Sequence, residues 1–201
     1  MGQGPEKGTL ASRLCFITGS SDIEILLASG VKWVQYREKG KTRKDIFFEA
    51  LKIREITKAF GACLIINDYA DIAMAVDADG VHLGQDDLPL SEARKIMGSR
   101  IIGISTHSVQ EALEAERGGA DYIGFGSIFH TTTKEVGAPK GVEGLKSVTD
   151  ALSIPVVAIG GIKPHNVSAV LETGCDGIAV SSGLLEGDVK ANVQRFLSLL
   201  Y

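Results

Sequence analysis

Four short segments of the chain repeat one pattern, and this repeat limits the possible folds more than any other feature of the sequence. In each segment a small residue ends a stretch of helical period, a turn follows, and an apolar run begins. The segments span residues 30–34, 78–81, 119–123 and 174–178. A pattern that returns at the entry to every second apolar run indicates one strand–helix unit used repeatedly, as in parallel α/β folds.

Apolar runs of strand length alternate with stretches of helical period along the chain. The predicted strands span residues 14–18, 30–36, 64–66, 81–83, 100–104, 121–125, 155–159 and 177–180. The predicted helices span residues 22–29, 43–60, 70–76, 90–97, 108–117, 141–152, 164–173 and 191–200. These alternating units predict a single-domain (β/α)8 TIM barrel of residues 11–201, with a mobile tail at residues 1–10. A doubly wound open sheet is the alternative, but it rarely needs so many units.

Composition excludes several classes of protein. The chain carries a net charge of −4 and has no basic cluster, which argues against general nucleic-acid binding. No apolar stretch approaches membrane-spanning length, so we expect no membrane partner. Cys15, Cys63 and Cys175 are widely spaced and lie in or beside apolar runs, which is typical of reduced, packed thiols in a cytoplasmic protein. The sequence leaves open whether the chain forms a homo-oligomer.

Acidic side chains follow the third and fourth predicted strands. Asn67 and Asp68 come directly after one apolar run, and Asp86 and Asp87 follow the next. Because a right-handed crossover makes consecutive strands parallel and adjacent, we expect Asp68 and Asp87 to lie side by side at the C-terminal rim of the barrel. The pair predicts a Mg²⁺ site, since this ion favours oxygen ligands and substrate phosphates. Two solvated loop carboxylates are the alternative.

Other loops on this rim carry groups that bind anions. Gln35, Arg37 and Lys39 are spaced two apart at the end of the second strand, which places them on one face of an extended segment. Ser105 follows the fifth strand. After the sixth strand a run of hydroxyls ends in a cation, a combination that suits phosphate; its residues are Thr131, Thr132, Thr133 and Lys134.

The loops after the seventh and eighth strands offer a second anion site without charge. They contain Gly160 and Gly161, and then Ser181 and Ser182, at the recurrent phosphate site of such barrels. Small residues there let a ligand approach backbone amides closely. One charged and one neutral anion site, with Mg²⁺ beside them, suit a diphosphate leaving group and a phosphate monoester. Electrostatic catalysis at phosphate groups fits this pattern better than Schiff-base chemistry does.

Six segments taken together resemble the thiamine phosphate synthase family. They are QYREK from Gln35, NDYADIA from Asn67, DGVHLGQDD from Asp79, GISTHS from Gly103, ADYIGFGSIFHTTTK from Ala120 and PVVAIGGI from Pro155. The resemblance implies the barrel fold and a transferase of a non-methyl alkyl group in thiamine biosynthesis. The implied reaction joins 4-amino-2-methyl-5-pyrimidinylmethyl diphosphate to a thiazole phosphate, giving thiamine phosphate and pyrophosphate. Its partners would therefore be phosphorylated small molecules.

The resemblance also implies roles for single residues. Mg²⁺ would be the cofactor, with Asp68 and Asp87 as its ligands. The implied catalytic residues are Lys134, Arg37, Lys39 and Ser105. The implied substrate-binding residues are Gln35, Tyr36, Arg37, Glu38, Lys39, Asn67, Ser105, Thr131, Thr132, Thr133, Lys134, Gly161, Ser181 and Ser182.

Two other functions remain open at this point. The thiazole tautomerases share the barrel and are similar in sequence, but their pattern tends to lack the Asn-Asp pair and the Thr-Thr-Thr-Lys run. A non-catalytic binder of thiamine phosphate would have no need of leaving-group machinery such as Asp68, Asp87 and Lys134. Both alternatives therefore rank behind the synthase, and metal-dependent turnover would distinguish them.

Overall fold

A computed structural model describes residues 10–19, 23–131, 138–185 and 187–201, and it confirms the (β/α)8 barrel. The strands are β1 (Leu14–Thr18), β2 (Trp33–Tyr36), β3 (Cys63–Asn67), β4 (Gly80–Leu83), β5 (Ile101–Thr106), β6 (Tyr122–Gly126), β7 (Val156–Ile159) and β8 (Gly177–Val180). They form one closed sheet in sequence order, and β8 pairs in parallel with β1. The helices are α1 (Ile23–Ala28), α2 (Arg43–Ala59), α3 (Ala70–Ala75), α4 (Leu90–Met97), α5 (Val109–Arg117), α6 (Gly141–Ala151), α7 (Val167–Leu171) and α8 (Val189–Leu200). A short 3₁₀ helix (Ser182–Leu184) follows β8.

Side chains alternate between the inside of the barrel and the helix layer, because successive residues of a strand point to opposite faces. The inner cluster consists of Cys15, Ile17, Trp33, Ile65, Tyr122, Val157 and Ala179. The residues between them, such as Phe16, Val34 and Ile66, belong to the larger cluster shared with the helices. Since both faces of the sheet are buried, the strands appear in the sequence as nearly continuous apolar runs.

The strand and helix boundaries agree with the predictions to within a few residues, and two of the differences are informative. β2 begins at Trp33 rather than at residue 30, because Gly30 has a φ of 111° and belongs to the preceding turn. β5 continues to Thr106 beyond its predicted end, because its last two residues pair with β6. This extension fixes Ser105 on the wall of the barrel instead of in a loop.

The N-terminal tail predicted at residues 1–10 falls almost entirely outside the described residues, which begin at Leu10. Leu10 itself packs against the inner cluster. Within the described ranges, no helix combines the length and the apolar composition needed to cross a membrane.

The repeated sequence pattern has a structural counterpart where the even-numbered strands begin. In three repeats an aspartate accepts a hydrogen bond from a backbone N–H of the preceding strand: Asp79 from Leu64 at 2.7 Å, Asp121 from Ile102 at 2.7 Å, and Asp176 from Val156 at 2.9 Å. Arg54 of α2 also pairs with Asp79 at 2.8 Å, and Arg94 of α4 pairs with Asp121 at 2.6 Å. Each of these two carboxylates, Asp79 and Asp121, therefore connects two strands and a helix.

Replacing Asp79 with Asn is expected to destabilise the barrel by about 2 kcal/mol. The Arg54 guanidinium, whose side chain is only 11% exposed, would lose its counter-charge, and a single amide oxygen would have to accept from both Arg54 and the Leu64 N–H. Urea denaturation measures the free energy of unfolding.

Asp77→Asn is the matched control for this change, because Asp77 also pairs with two cations, Lys58 and Arg100, but does so in solvent. Exposed ion pairs contribute little, so its unfolding curve should match that of the unmodified protein. Equal effects of the two substitutions would contradict the special role of Asp79.

Candidate active site

Two carboxyl groups, those of Asp68 and Asp87, meet at the C-terminal rim of the barrel. Asp68 directly follows β3, and its backbone N–H donates to the carbonyl of His82 at 2.8 Å. Its φ of 69° is left-handed, a conformation that is uncommon outside glycine and is found often at functional sites. Asp87 follows β4 in a turn that is closed by the Gly84 N–H, which donates to the Asp87 carboxylate at 2.6 Å.

The Asp87 carboxylate perturbs the Asp68 carboxyl group strongly. Burial raises the pKa of Asp68, and the hydrogen bond and charge of Asp87 raise it further, to about 6, against the attraction of Lys39 and Arg37. Asn67 Nδ2 also donates to the Asp68 carboxylate at 2.5 Å. Carboxyl groups in such contact need a shared proton or a cation between them. The strand order thus brings these acids together as the sequence indicates.

The available ligand atoms suit a hard cation that takes its remaining ligands from elsewhere. In the described ranges no group of three or more His, Cys, Asp and Glu side chains is placed to hold a metal ion. Protein sites for Zn²⁺ use three or four side-chain ligands, mostly nitrogen and sulfur. Mg²⁺ is often held by one or two carboxylates together with waters and substrate phosphates, so the Asp68–Asp87 pair fits Mg²⁺.

Two cations from the loop after β2 act on the same rim. The charges of Lys39 and Arg37 both oppose the rise of the Asp68 pKa, which places them within electrostatic reach of the carboxyl pair. Arg37 is half-buried, and Lys39 is exposed. The backbone of Arg37 is fixed to the barrel because its N–H donates to the carbonyl of Thr18 at 2.8 Å. Acids and cations therefore line one mouth, where a metal-bound diphosphate could be held between them.

Two residues of the same segment have side chains directed elsewhere. Tyr36 is 1% exposed, and its hydroxyl donates to Glu49 of α2 at 2.7 Å, so its side chain lies in the helix layer. Gln35 precedes it and faces the interior, as the alternation of a strand requires. Glu38 turns back on its own loop and accepts hydrogen bonds from two backbone N–H groups there. Neither Tyr36 nor Glu38 shares the cavity that Gln35 lines.

A cavity lies inside the barrel beneath this rim. It is small, with a volume of about 30 Å³, and its walls are formed by Cys15, Ile17, Trp33, Gln35, His82, Ser105, Tyr122, Gly124, Val157, Ile159 and Ala179. The polar members are hydrogen-bond donors and acceptors set among apolar side chains. Asn67 is buried at the end of the neighbouring β3.

Ser105, His82 and Tyr122 form a hydrogen-bonded chain in the cavity wall. His82 Nε2 lies 2.9 Å from Ser105 Oγ, and His82 Nδ1 lies 2.9 Å from the Tyr122 hydroxyl. The sequence places His82 inside the predicted fourth strand, but it does not predict that His82 orients Ser105. Tyr122 is missed entirely.

A signal for Tyr122 is nevertheless present, in the glycines of the apolar strands. A Cβ on Gly103 of β5 would lie 2.1 Å from Tyr122 Cζ, and a Cβ on Gly124 of β6 would lie 3.1 Å from His82 Cε1. These glycines therefore provide the space in which the two rings stand.

The predicted neutral anion site lies wholly within the described residues, whereas the hydroxyl run of the charged site, after β6, is described only at Thr131. Gly161 follows β7, Ser181 follows β8 and Ser182 begins the 3₁₀ helix, while Thr131 is half-buried on the loop after β6. Thr132, Thr133 and Lys134 lie outside the described residues, so their assignments remain sequence predictions.

Gly160 and Gly161 are also required by the packing of the loop after β6, in addition to the close approach of a ligand that the sequence suggests. A Cβ on Gly160 would lie 2.1 Å from Ser127 Oγ, and a Cβ on Gly161 would lie 2.5 Å from the carbonyl oxygen of His130. Both glycines also have positive φ, of 98° and 66°. The loop after β6 is thus held against the end of β7.

Known proteins are similar to this chain in sequence and in fold. A family model described as thiamine monophosphate synthase matches residues 14–184. A thiamine-phosphate synthase of Chloroflexus aurantiacus is 48% identical over 179 residues, covering 89% of this chain and 83% of that protein. One of Clostridium acetobutylicum is 50% identical over 164 residues, covering 81% and 78%. The solved thiamine phosphate pyrophosphorylase of Pyrococcus furiosus is 37% identical and superposes with a TM-score of 0.85, covering 94% of this chain and 95% of that one. The chain therefore belongs to the thiamine monophosphate synthase family.

Proposed function

We propose that this chain joins 4-amino-2-methyl-5-pyrimidinylmethyl diphosphate to a thiazole phosphate and releases pyrophosphate, so that thiamine phosphate is formed. The observation that carries the proposal is the mouth of the barrel, where the Asp68–Asp87 pair lies within electrostatic reach of Arg37 and Lys39. That arrangement suits a metal-bound diphosphate as leaving group. Synthase relatives that are 46–50% identical support the same reaction.

Mg²⁺ is the proposed cofactor, and Asp68 and Asp87 would hold it. When bound, the ion supplies positive charge to the diphosphate oxygens. Asn67 donates to the Asp68 carboxylate and so fixes the orientation of one ligand. Arg37, Lys39 and, from the sequence, Lys134 would contact the diphosphate and stabilise it most when the bond to carbon breaks and its charge grows.

The cavity beneath the mouth is the proposed site of the aminopyrimidine ring. Gln35 and Ser105 line it, and His82 orients Ser105. The ring can carry the positive charge that forms on its methylene carbon as the carbon–oxygen electron pair leaves with pyrophosphate. The thiazole nitrogen then donates its lone pair to that carbon, which forms the new carbon–nitrogen bond.

The second phosphate site would hold the thiazole substrate beside this carbon. The proposed contacts are those of Thr131, Thr133, Gly161, Ser181 and Ser182. Fixing both reactants in place lowers the activation barrier, because the entropic cost of bringing them together is met when they bind. This effect supplies a large part of the rate enhancement in two-substrate reactions.

The test is to incubate the purified protein with both substrates, with excess Mg²⁺ or with EDTA, and to measure thiamine phosphate and pyrophosphate. Equal amounts of the two products, formed only with Mg²⁺, are the expected result. Isomerisation of the thiazole phosphate without thiamine phosphate would indicate a tautomerase instead. Binding of the substrates without either reaction would indicate a binding protein.

Binding of Mg²⁺ should weaken in mild acid. The pKa of Asp68, about 6 in the metal-free folded chain, lies above the ordinary value of 3.8. The folded chain therefore holds an extra proton between these values, and its stability falls as the pH rises through that window. Mg²⁺ has to displace this proton below about pH 6, so its apparent affinity should fall several-fold between about pH 7.5 and about pH 5.5.

Calorimetric titration of the protein with Mg²⁺ and pyrophosphate measures this dependence. Pyrophosphate itself titrates in this range, so Asp68→Asn serves as the control that retains only the titration of the ligand. Identical pH profiles for the two proteins would contradict a contribution from Asp68.

A further inference from the structure

One carboxylate outside the mouth, that of Glu49 on α2, is bonded to both ends of the loop that carries Arg37 and Lys39. At the start of the loop, the Tyr36 hydroxyl donates to Glu49 Oε2 at 2.7 Å. At its far end, Lys41 Nζ donates to Glu49 Oε1 at 2.5 Å. The loop from Tyr36 to Lys41 and its two hydrogen bonds to Glu49 thus form a closed ring.

Glu38 tightens the loop inside this ring. Its carboxylate accepts hydrogen bonds from the backbone N–H groups of Lys39 at 2.8 Å and Gly40 at 2.9 Å. Its second oxygen lies 3.6 Å from Lys41 Nζ. The side chain of Glu38 therefore binds the loop backbone, and that of Lys41 binds Glu49 of α2 and lies near Glu38.

The charge state of the ring favours this arrangement. Burial raises the pKa of the Glu49 carboxyl, but the hydrogen bonds from Lys41 and Tyr36 outweigh it and hold the pKa below its ordinary value. The hydrogen bond to Glu49 raises the pKa of Lys41. Hydrogen bonds from Gly40 and Lys39 lower the pKa of Glu38. At neutral pH all three groups are charged, and such charge-assisted bonds are among the stronger ones available to a loop.

Arg37 and Lys39 lie between Tyr36 and Lys41 in the chain, and their charges act on Asp68. Tyr36 and Glu38 alternate with them along the chain. Their side chains bind Glu49 and the loop backbone instead. This division follows from the extended backbone at the end of β2, in which neighbouring side chains point to opposite sides. One side of the segment provides charge to the mouth, and the other side anchors it.

We infer that Glu49 is a positioning residue for the diphosphate: through Tyr36 and Lys41 it holds the loop in the form that presents Arg37 and Lys39 to the carboxyl pair. The inference rests on the proposed function, because it assigns Glu49 to the diphosphate end of that site. It also gives a role to Tyr36, whose side chain does not reach the mouth.

The experiment compares Glu49→Gln with Glu55→Gln, a change of an exposed carboxylate on the same helix. The KM of each substrate and the dissociation constant of inorganic pyrophosphate at fixed excess Mg²⁺ are measured. In Glu49→Gln, we expect both the KM of the pyrimidine diphosphate and the dissociation constant of pyrophosphate to rise about tenfold, because the loop loses a charge-assisted anchor. The KM of the thiazole phosphate and the melting temperature should stay unchanged, and Glu55→Gln should match the unmodified protein.

Tyr36→Phe provides a second variant, since it deletes the hydroxyl that donates to Glu49 and keeps the aromatic side chain that packs against the helices. It should shift the same two constants in the same direction. Unchanged pyrophosphate binding in both variants would overturn the inference. A parallel rise of both KM values with a lowered melting temperature would also overturn it, because Glu49 would then act on the whole fold.

The pyrophosphate measurement separates this inference from the proposed reaction. If the unmodified protein forms no thiamine phosphate, the proposed function fails, whereas weaker pyrophosphate binding in Glu49→Gln would still show that Glu49 arranges the anion site. If thiamine phosphate forms and Glu49→Gln binds pyrophosphate normally, only the role of Glu49 fails.

Discussion

Replacing Asp68 with Asn is expected to lower kcat/KM by a factor of about one hundred or more, while making the metal-free protein slightly more stable at neutral pH. The substitution removes half of the proposed ligand pair and so weakens electrostatic stabilisation of the departing pyrophosphate. Without a bound cation, the negative charge of Asp68 is unfavourable, because burial and the Asp87 carboxylate raise the pKa of Asp68 to about 6. Since the carboxyl is only half-buried, we expect a gain of about 1 kcal/mol after allowance for solvent screening.

Kinetics and urea denaturation of the same preparations measure the two effects. Asp86→Asn is the control, because Asp86 is an exposed neighbour of Asp87 in the same turn, and both quantities should stay close to those of the unmodified protein. The gain in stability should disappear below about pH 3, where the carboxyl is largely protonated in both folded and unfolded chains. Full activity of Asp68→Asn would contradict the proposed metal site.

Replacing Gly103 with Ala is expected to destabilise the barrel by about 3 kcal/mol, which is large for a single methyl group. The new Cβ would lie 2.1 Å from Cζ and 2.4 Å from Cε1 of Tyr122, and no rotation of the methyl group relieves that clash. Tyr122 is 2% exposed and packs edge to face on Trp33 with 5.2 Å between ring centroids, so it has little room to withdraw. Its displacement would also break the bond to His82 and lower activity.

A double-mutant cycle isolates the cause. In a Tyr122→Leu background the same glycine substitution should cost about 1 kcal/mol or less, because the ring is no longer there. Gly144→Ala on α6 is the matched control, since a Cβ at that position meets only ordinary contacts of 3.4 Å or more and alanine favours helix. An equal cost of Gly103→Ala with and without the Tyr122 ring would contradict the steric explanation.

The architecture and the acid pair could be predicted because both depend on local pattern and chain order. Apolar runs and helical periods specify the strands and helices, and the right-handed crossover places the ends of consecutive strands side by side. Asp68 and Asp87 could therefore be matched without knowing the register of the sheet. The spacing of Arg37 and Lys39 likewise places them on one face of the chain.

The same alternation predicts that Tyr36 faces away from Gln35, but the resemblance groups both as substrate-binding residues. In the structure Tyr36 bonds to Glu49, thirteen residues further along the chain. A contact between the end of a strand and the second turn of a helix depends on how that helix packs, which the sequence pattern does not specify. Glu49 has no sequence signal beyond its place on a helix.

The inner wall of the cavity was beyond prediction for a related reason. The fit of Tyr122 over Gly103 depends on the register between β5 and β6, in which these two residues are partners. The glycines after β7 illustrate the same point, because Gly160 and Gly161 make room for Ser127 and His130, which are far from them in sequence.

The most direct measurement is the reversible metal dependence of product formation by the unmodified protein. The two substrates are supplied with Mg²⁺, EDTA is then added, and excess Mg²⁺ is restored while thiamine phosphate is measured throughout. Formation that stops with EDTA and resumes with Mg²⁺, with one pyrophosphate released for each thiamine phosphate, is the expected result. Product that accumulates at an unchanged rate in EDTA, or no product at any stage, would contradict the proposed reaction at the Asp68–Asp87 rim.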